Sequence, residues 1–154
     1  MNLIIILISI LLDGIIPHFT LFNFNNITYL TSMCTSISLI FLFNSKHFYK
    51  YLYFIIIFYG GIYINNMLLS AILFVVVSIF LYIFKHFFKD NFLNIIIQIL
   101  LVIFLWDFVF FIYNTLIYKN IFIWNNYFYK VIHSIVFNLI YGIILFKLFR
   151  TSSK

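Results

Sequence analysis

Long apolar stretches separated by short polar connectors run through the whole chain. A helix needs about 20 apolar residues to cross a bilayer core about 30 Å thick. The sequence therefore predicts a single transmembrane domain, residues 1–154. Its predicted helices lie at about residues 3–22, 27–43, 51–64, 67–84, 92–118 and 131–149.

The scarcity of charge excludes a water-soluble fold. Charged residues make up 8% and hydrophobic residues 66% of the chain, whereas soluble domains carry about 25% charged residues to cover their surface. The apolar surplus must therefore face lipid. Basic residues outnumber acidic ones by 9 to 3, but they form no continuous stripe and do not indicate nucleic-acid binding. We predict an all-α integral membrane protein.

The basic residues also predict the orientation in the membrane, because Lys and Arg concentrate in cytoplasmic loops. With six helices, one side holds the connectors after the second and fourth helices and the C-terminal tail, which contain Lys46, Lys50, Lys85, Lys89, Lys147, Arg150 and Lys154. The other side holds only Lys119 and Lys130. This bias predicts cytoplasmic N- and C-termini. The first stretch lacks the basic start and the cleavage site of a signal peptide, so we expect it to be a retained helix.

The third and fourth stretches allow two interpretations. They could be two helices joined by a turn at Asn65 and Asn66, or one long broken helix. A single helix would move the connector at 85–91 to the opposite side and remove the charge bias, so we predict two helices. A later connector, 119–130, is rich in aromatic residues, as is typical of the membrane interface.

Polar residues inside the predicted helices are the candidates for function, because ionisable groups in hydrocarbon are costly unless paired. Asp13 lies near the middle of the first helix, and Asp107 lies in the middle to outer part of the fifth. The sixth helix carries His133, Ser134, Asn138 and Tyr141, of which the last three share one face by their spacing. We predict that Asp13, Asp107, His133 and Asn138 face the interior and hydrogen-bond to one another. Such residues could form a structural network, contact a partner or ligand, or carry protons or ions.

Small residues predict where helices approach each other closely. Thr28, Ser32 and Ser36 recur at every fourth position of the second helix and form a stripe of the kind that allows close helix packing. Gly60 and Gly61 predict similar packing in the third helix.

Catalytic and metal-binding motifs are absent from the sequence. It has no glycine-rich phosphate loop, no Cys and His set with metal spacing, and no nucleophile and base with an orienting third group. We therefore expect no cofactor, no metal and no enzymatic activity. The single cysteine, Cys34, cannot form an intrachain disulfide.

Three places in the sequence carry a resemblance to a known family. They are Leu11-Leu12-Asp13-Gly14 followed by Pro17; Gly60-Gly61-Ile62-Tyr63 with the later 69–74; and Ser134, Asn138 and Tyr141 with the run through 145–150. In these places, and in length and helix spacing, the chain resembles the rod shape-determining protein MreD family of bacterial cell-wall elongation. The chain departs from the family at Ile64, where members usually carry an acid after the tyrosine.

The resemblance implies a non-enzymatic role in the bacterial plasma membrane. Members associate with the bitopic protein MreC and, through it, with the actin-like MreB filament and the wall-building glycosyltransferase and transpeptidase. The implied partners are therefore an MreC-like membrane protein, other cell-wall elongation proteins and the lipid bilayer, with no nucleic acid.

Two other functions are compatible with six helices and this size. One is the substrate-binding membrane subunit of an energy-coupling-factor vitamin transporter. Against it, the first helix has only Ser9 and Gly14 where such subunits carry two alanines four residues apart to dock on their transporter. The other is an ion-coupled carrier or channel that uses Asp13 and Asp107, which would be expected to show inverted repeats or broken helices.

Overall fold

The computed structural model describes residues 2–15, 32–43, 47–64, 66–88, 91–118 and 124–152. These parts of the chain are almost entirely helical and contain no β-strand. The helices are α1 (Asn2–Ile15), α2 (Ser32–Phe43), α3 (Phe48–Tyr59, continued by a π-helical turn at Gly60–Ile64), α4 (Met67–Phe87), α5 (Phe92–Tyr118) and α6 (Trp124–Ser152).

The helix bounds differ from the prediction mainly where a helix continues into a polar connector. Helix α5 spans the predicted 92–118, whereas α3 begins at Phe48, α4 ends at Phe87 and α6 begins at Trp124. The assignment of 124–130 to a connector was therefore wrong. Aromatic residues mark the depth of the membrane interface, but the backbone can keep its helical hydrogen bonds through that layer. The remainder of the predicted first and second helices, 16–31, lies outside the described residues.

Three of the helices are long and apolar enough to cross a membrane, at Met67–Phe87, Phe92–Tyr113 and Ser134–Thr151. The described helices Asn2–Ile15, Ser32–Phe43 and Phe48–Ile64 are shorter and also apolar. Together with the small charged fraction, these helices make the chain a membrane protein.

Helix α1 has an apolar outward face, and its polar side chains point inwards among buried isoleucines. Its exposed residues are Leu3, Ile4, Leu7, Ile8, Leu11 and Ile15. Ser9 and Asp13, by contrast, are buried against the rest of the bundle. An amphipathic helix in a water-soluble protein has the opposite arrangement. The outward face of α1 is therefore suited to lipid or to another membrane helix.

Helix α2 lies at the centre of the bundle. It packs on α1, α5 and α6, with further contacts to α3 and α4, and every side chain from Ser32 to Phe41 is buried. This helix also contains the densest run of hydroxyl residues, Ser32, Thr35, Ser36 and Ser38. Small hydroxyl residues let neighbouring helices approach closely and can bond across the contact, which explains why α2 can be enclosed on all sides.

Helices α3 and α4 form a hairpin, so the alternative of one long broken helix does not apply. The Oγ atom of Ser70 in α4 donates to the carbonyl of Ile56 in α3 at 3.1 Å. At the turn, the side chain of Asn66 caps α4 by accepting from the backbone N–H groups of Leu68 and Leu69, both at 3.1 Å. Asn66 also donates to the hydroxyl of Tyr113 at 2.8 Å, which attaches the hairpin to α5.

Candidate functional site

The polar residues singled out from the sequence are buried wherever the structure describes their side chains. Helix α6 contributes Ser134, Asn138 and Tyr141, α1 contributes Asp13, and α5 contributes Asp107. The side chain of His133 lies outside the described part of the structure. Two of them, Asp13 and Tyr141, meet serine and tyrosine hydroxyls in one region. We call that region the central polar cluster, defined as Ser9, Asp13, Ser32, Ser36, Tyr59 and Tyr141.

The carboxylate of Asp13 binds the beginning of α2. Its Oδ1 accepts from the backbone N–H of Ser32 at 2.9 Å and from the Ser32 hydroxyl at 2.5 Å. Its Oδ2 accepts from the backbone N–H of Met33 at 3.2 Å and from the Tyr59 hydroxyl at 3.0 Å. First-turn N–H groups have no partner within their own helix, and they carry the positive end of the helix dipole. Asp13 therefore supplies acceptors that α2 needs in the buried interior.

Two tyrosines of the third helix reach α1 side by side. Tyr59 and Tyr63 are four residues apart, with ring centroids separated by 4.9 Å. Tyr63 lies in the π-helical turn, and its hydroxyl donates to the backbone carbonyl of Ile10. The hydroxyl lies too close to the position of a Cβ atom on Gly14 for such an atom to fit, and the Tyr63 Cζ is 3.3 Å from that position. Gly14 thus provides the space into which Tyr63 fits.

A serine from α1, a serine from α2 and a tyrosine from α6 meet one turn away from Asp13. The hydroxyl of Ser9 is hydrogen-bonded to the hydroxyl of Ser36 and, at 2.8 Å, to the hydroxyl of Tyr141. Ser36 also donates to Tyr141 at 3.4 Å. The Ser32 hydroxyl lies 3.0 Å from the backbone carbonyl of Ser9. These bonds connect three helices through side chains four residues apart.

A second set of contacts joins α2 to α6. The Thr35 hydroxyl donates to Oδ1 of Asn138 at 2.7 Å, and Nδ2 of Asn138 donates to the carbonyl of Ser134 at 2.8 Å. Gly142 allows the helices to approach, because a Cβ atom there would lie 2.8 Å from Cδ1 of Ile99 and 3.2 Å from Cγ2 of Thr35. The amide of Asn138 is thus held by both helices.

Asp13, Asp107, His133 and Asn138 were predicted to hydrogen-bond to one another. For Asp13 this prediction was wrong, since it bonds to neither Asp107 nor Asn138, whereas bonds of the His133 side chain lie outside the described part of the structure. The hydrogen bonds of Asp13 go to α2 and α3, and Asn138 bonds to Thr35 and within its own helix. The reason is that the face of α1 that carries Asp13 meets the beginning of α2 and Tyr59 of α3. A spacing pattern shows which residues share a helix face but not which neighbouring helix that face meets.

The small residues have more varied roles than packing alone. Ser32 and Ser36 are fully buried and also hydrogen-bonded, and Thr28 lies outside the described residues. Gly60 packs closely, since a Cβ atom there would lie 2.7 Å from Cβ of Ser70. For Gly61 the packing prediction was wrong, because a Cβ atom would have nothing within 4 Å. The π-helical turn directs Gly61 outwards.

Four residues that make contacts in these clusters were not among the candidate site residues, namely Ser9, Thr35, Tyr59 and Tyr63. A signal for two pairs is present in the sequence: Ser9 and Asp13 are four residues apart, and so are Tyr59 and Tyr63, which places each pair on one face. The contact of Thr35 with Asn138 could not be predicted, because it depends on how α2 and α6 are rotated.

The central polar cluster joins α1, α2, α3 and α6 and matches hydroxyl and backbone donors with carboxylate and carbonyl acceptors. Polar groups within a bilayer must be satisfied inside the protein, and this arrangement does so for the groups just described. Within the described residues no three His, Cys, Asp or Glu side chains are placed to hold a metal ion.

No protein-family model, curated protein or solved structure matches the chain.

Proposed function

We propose that this protein is a non-enzymatic scaffold of the bacterial cell-wall elongation machinery, similar to the MreD family, that acts through contacts within the membrane. Its partners would be an MreC-like membrane protein and other wall-synthesis proteins. In this proposal six helices cross the bacterial plasma membrane, and both termini are cytoplasmic.

The observation that carries the proposal is the meeting of the three family-like places in one part of the bundle. Asp13 and Gly14 come from the first place, Tyr63 from the second, and Asn138 and Tyr141 from the third. Asp13 caps α2, Gly14 accommodates Tyr63, and Tyr141 bonds to Ser9. Residues that are scattered in the sequence therefore share one task, which is to fix how the helices are arranged. A scaffold needs such a fixed arrangement.

The outward surface supports a role in binding other membrane helices. The exposed faces of α1, α4 and α6 consist mainly of Leu, Ile and Val, whereas the central polar cluster is enclosed. A partner would reach apolar helix faces before it reached any polar group. This surface fits a bitopic partner better than a water-soluble substrate.

The described cationic side chains support the proposed orientation. Lys50 lies at the beginning of α3, Lys85 near the end of α4, and Lys147 and Arg150 near the end of α6. These positions belong to the same end of the bundle, because α3 runs antiparallel to α4 and α4 is followed by α5 and α6. The positive-inside rule assigns this end to the cytoplasm.

Site-specific photo-crosslinking in native membranes tests the proposal. A photoreactive residue would be placed at outward positions of three helices, namely Leu7 of α1, Ile79 of α4 and Ile140 of α6. We expect at least one position to crosslink to an MreC-like bitopic protein, identified by mass spectrometry after purification of the tagged chain.

Unirradiated samples and a buried position, Ile103, provide the controls. The proposal is wrong if the outward positions capture no cell-wall elongation protein. Capture of an ATPase module with its membrane partner would instead favour the vitamin-transporter subunit.

A further inference from the structure

We call the end of the bundle that carries Lys50, Lys85, Lys147 and Arg150 the basic end. A cavity of about 350 Å³ opens there. It lies between the end of α2, the beginning of α5 and the end of α6. Its lining residues are Leu42, Phe43, Asn91, Phe92, Ile95, Phe146 and Arg150. Ile95 at its floor is 5% exposed and Phe92 at its rim is 48% exposed, so the cavity reaches from the core to the surface.

The wall of the cavity is aromatic. The ring centroids of Phe43 and Phe146 are 5.8 Å apart, and those of Phe92 and Phe146 are 5.5 Å apart. Phe43 also stacks on Phe149 at 5.2 Å. Each of the three helices thus contributes a phenylalanine, and the rings support one another as a fixed apolar surface.

The other side of the cavity is polar and cationic. Arg150 is an exposed residue in the last turn of α6 and lines the cavity together with Asn91. A guanidinium group can donate two parallel hydrogen bonds to a phosphate, a geometry that lysine does not offer. The volume lies near the lower limit of small-ligand sites, which span roughly 300 to 1,000 Å³, so it suits a headgroup rather than an entire lipid.

From these features we infer that the cavity binds the headgroup of an anionic phospholipid. Arg150 holds the phosphate, Asn91 bonds to polar headgroup atoms, and the glycerol and upper acyl carbons lie against Phe43, Phe92 and Phe146. An entirely water-soluble anion would leave the aromatic wall uncovered. A neutral lipid would lack the net charge that complements this end of the chain. The inference depends on the membrane setting and is independent of the proposed partners.

Native mass spectrometry of the full chain tests this inference. The purified protein in detergent would be titrated with phosphatidylglycerol, and separately with phosphatidylcholine of the same acyl chains. We expect the first phosphatidylglycerol to bind about tenfold more tightly than phosphatidylcholine. The variant Arg150→Gln should weaken phosphatidylglycerol binding by about fivefold or more, because it removes a charge-assisted hydrogen bond to the phosphate. The affinity of Arg150→Lys for phosphatidylglycerol should lie between that of the unsubstituted chain and that of Arg150→Gln.

The matched control is Lys147→Gln, which removes one positive charge from the same helix without altering the cavity lining. It should change the affinity by less than about twofold. An equal effect of both substitutions would indicate general attraction to the basic end and overturn the assigned site. Equal binding of the two lipids would overturn it as well. A third arm adds inorganic phosphate and measures the melting temperature: stabilisation equal to that by phosphatidylglycerol would show that the cavity takes the free anion.

Discussion

Asp13 is an acid placed where most membrane helices carry an apolar residue. Its carboxylate accepts four hydrogen bonds, two from backbone N–H groups of α2 and two from the hydroxyls of Ser32 and Tyr59. The residue is only 7% exposed, so water cannot replace these acceptors if the side chain is lost. Asp13 therefore acts mainly on stability, because it fixes the position of α2 against α1 and α3.

We expect Asp13→Ala to lower the free energy of unfolding by about 2 kcal/mol or more, because it leaves several buried donors without an acceptor. Asp13→Asn should lower the free energy of unfolding by less than Asp13→Ala does. It should still be destabilising, since its amide nitrogen would face the donors of Met33 and Tyr59. Unfolding in detergent micelles, followed by heating or by added denaturing detergent, measures both. Leu11→Ala is the control, because Leu11 is 58% exposed on the opposite face. A loss from Leu11→Ala as large as that from Asp13→Ala would contradict this role.

Gly14 and Tyr63 form a pair whose coupling can be measured. Gly14→Ala should cost about 1 to 3 kcal/mol, because the added methyl group overlaps the Tyr63 hydroxyl. Tyr63→Phe should cost about 0.5 to 1.5 kcal/mol through the lost bond to Ile10. The double variant should be more stable than the sum of the two losses predicts, since removing the hydroxyl makes room for the methyl group.

The same unfolding assay gives the double-mutant cycle, with a coupling expected above about 0.5 kcal/mol. Gly61→Ala is the matched glycine control, because its added methyl group meets nothing and should change stability by less than about 0.5 kcal/mol. Strict additivity of Gly14→Ala and Tyr63→Phe would show that the two residues do not touch.

Residue-level prediction from the sequence identified Asp13 as an unusual residue but did not identify its partners. A carboxylate in an apolar stretch is conspicuous whatever its partner is, so Asp13 could be found. Its actual partners include backbone N–H groups of α2, which no side-chain pattern reveals. The bond between Thr35 and Asn138 likewise depends on the rotation of two helices about their own axes, and that rotation is fixed only by packing.

The hairpin of α3 and α4 is the element with the clearest local determinants. Asn66 caps α4, and the π-helical turn precedes it at Gly60–Ile64. The sequence predicted the turn correctly because an Asn pair interrupts an apolar run. It did not predict the π-helical turn, since Gly60 and Gly61 are compatible with several backbone conformations. As a result, the outward position of Gly61 could not be foreseen.

Substitutions at Asn66 can separate its two roles. Asn66→Ala should cost about 1 kcal/mol from the lost cap, in addition to the lost bond to Tyr113. Asn66→Ser is too short to reach Tyr113 but retains a capping oxygen. It should therefore be clearly less destabilising than Asn66→Ala. Tyr113→Phe removes only the second bond. Melting temperatures in one detergent would rank the three variants, and an Asn66→Ser variant as unstable as Asn66→Ala would refute a capping role.

At the scale of the whole molecule, the distribution of charge and apolar surface determines how the protein sits in the membrane. Long apolar helices and outward leucine and isoleucine faces follow directly from the composition. The order of packing around α2 does not, because the apolar content of a stretch does not determine which other helices surround it. What distinguishes α2 is its hydroxyl content, and in hindsight this is a signal for a helix enclosed by others.

We expect a periplasmic reporter enzyme to be active when fused after Asn65 and inactive when fused after Phe88, because the α3–α4 turn and the basic end lie on opposite sides of the proposed bundle. A cytoplasmic reporter at the same two positions should give the reverse pattern and serves as the control for expression. A cytoplasmic location for the fusion after Asn65 would refute the proposed orientation.

The enclosure of α2 has a consequence for genetics. Because lipid and other proteins cannot touch the part of α2 from Ser32 to Phe41 without displacing its neighbours, harmful substitutions in this part should lower the amount of protein that accumulates in cells. Alleles that leave abundance intact but abolish the biological effect should map instead to the outer Leu and Ile faces. Measuring abundance alongside phenotype would therefore sort variants by helix, and the second group would outline the surface where other proteins dock.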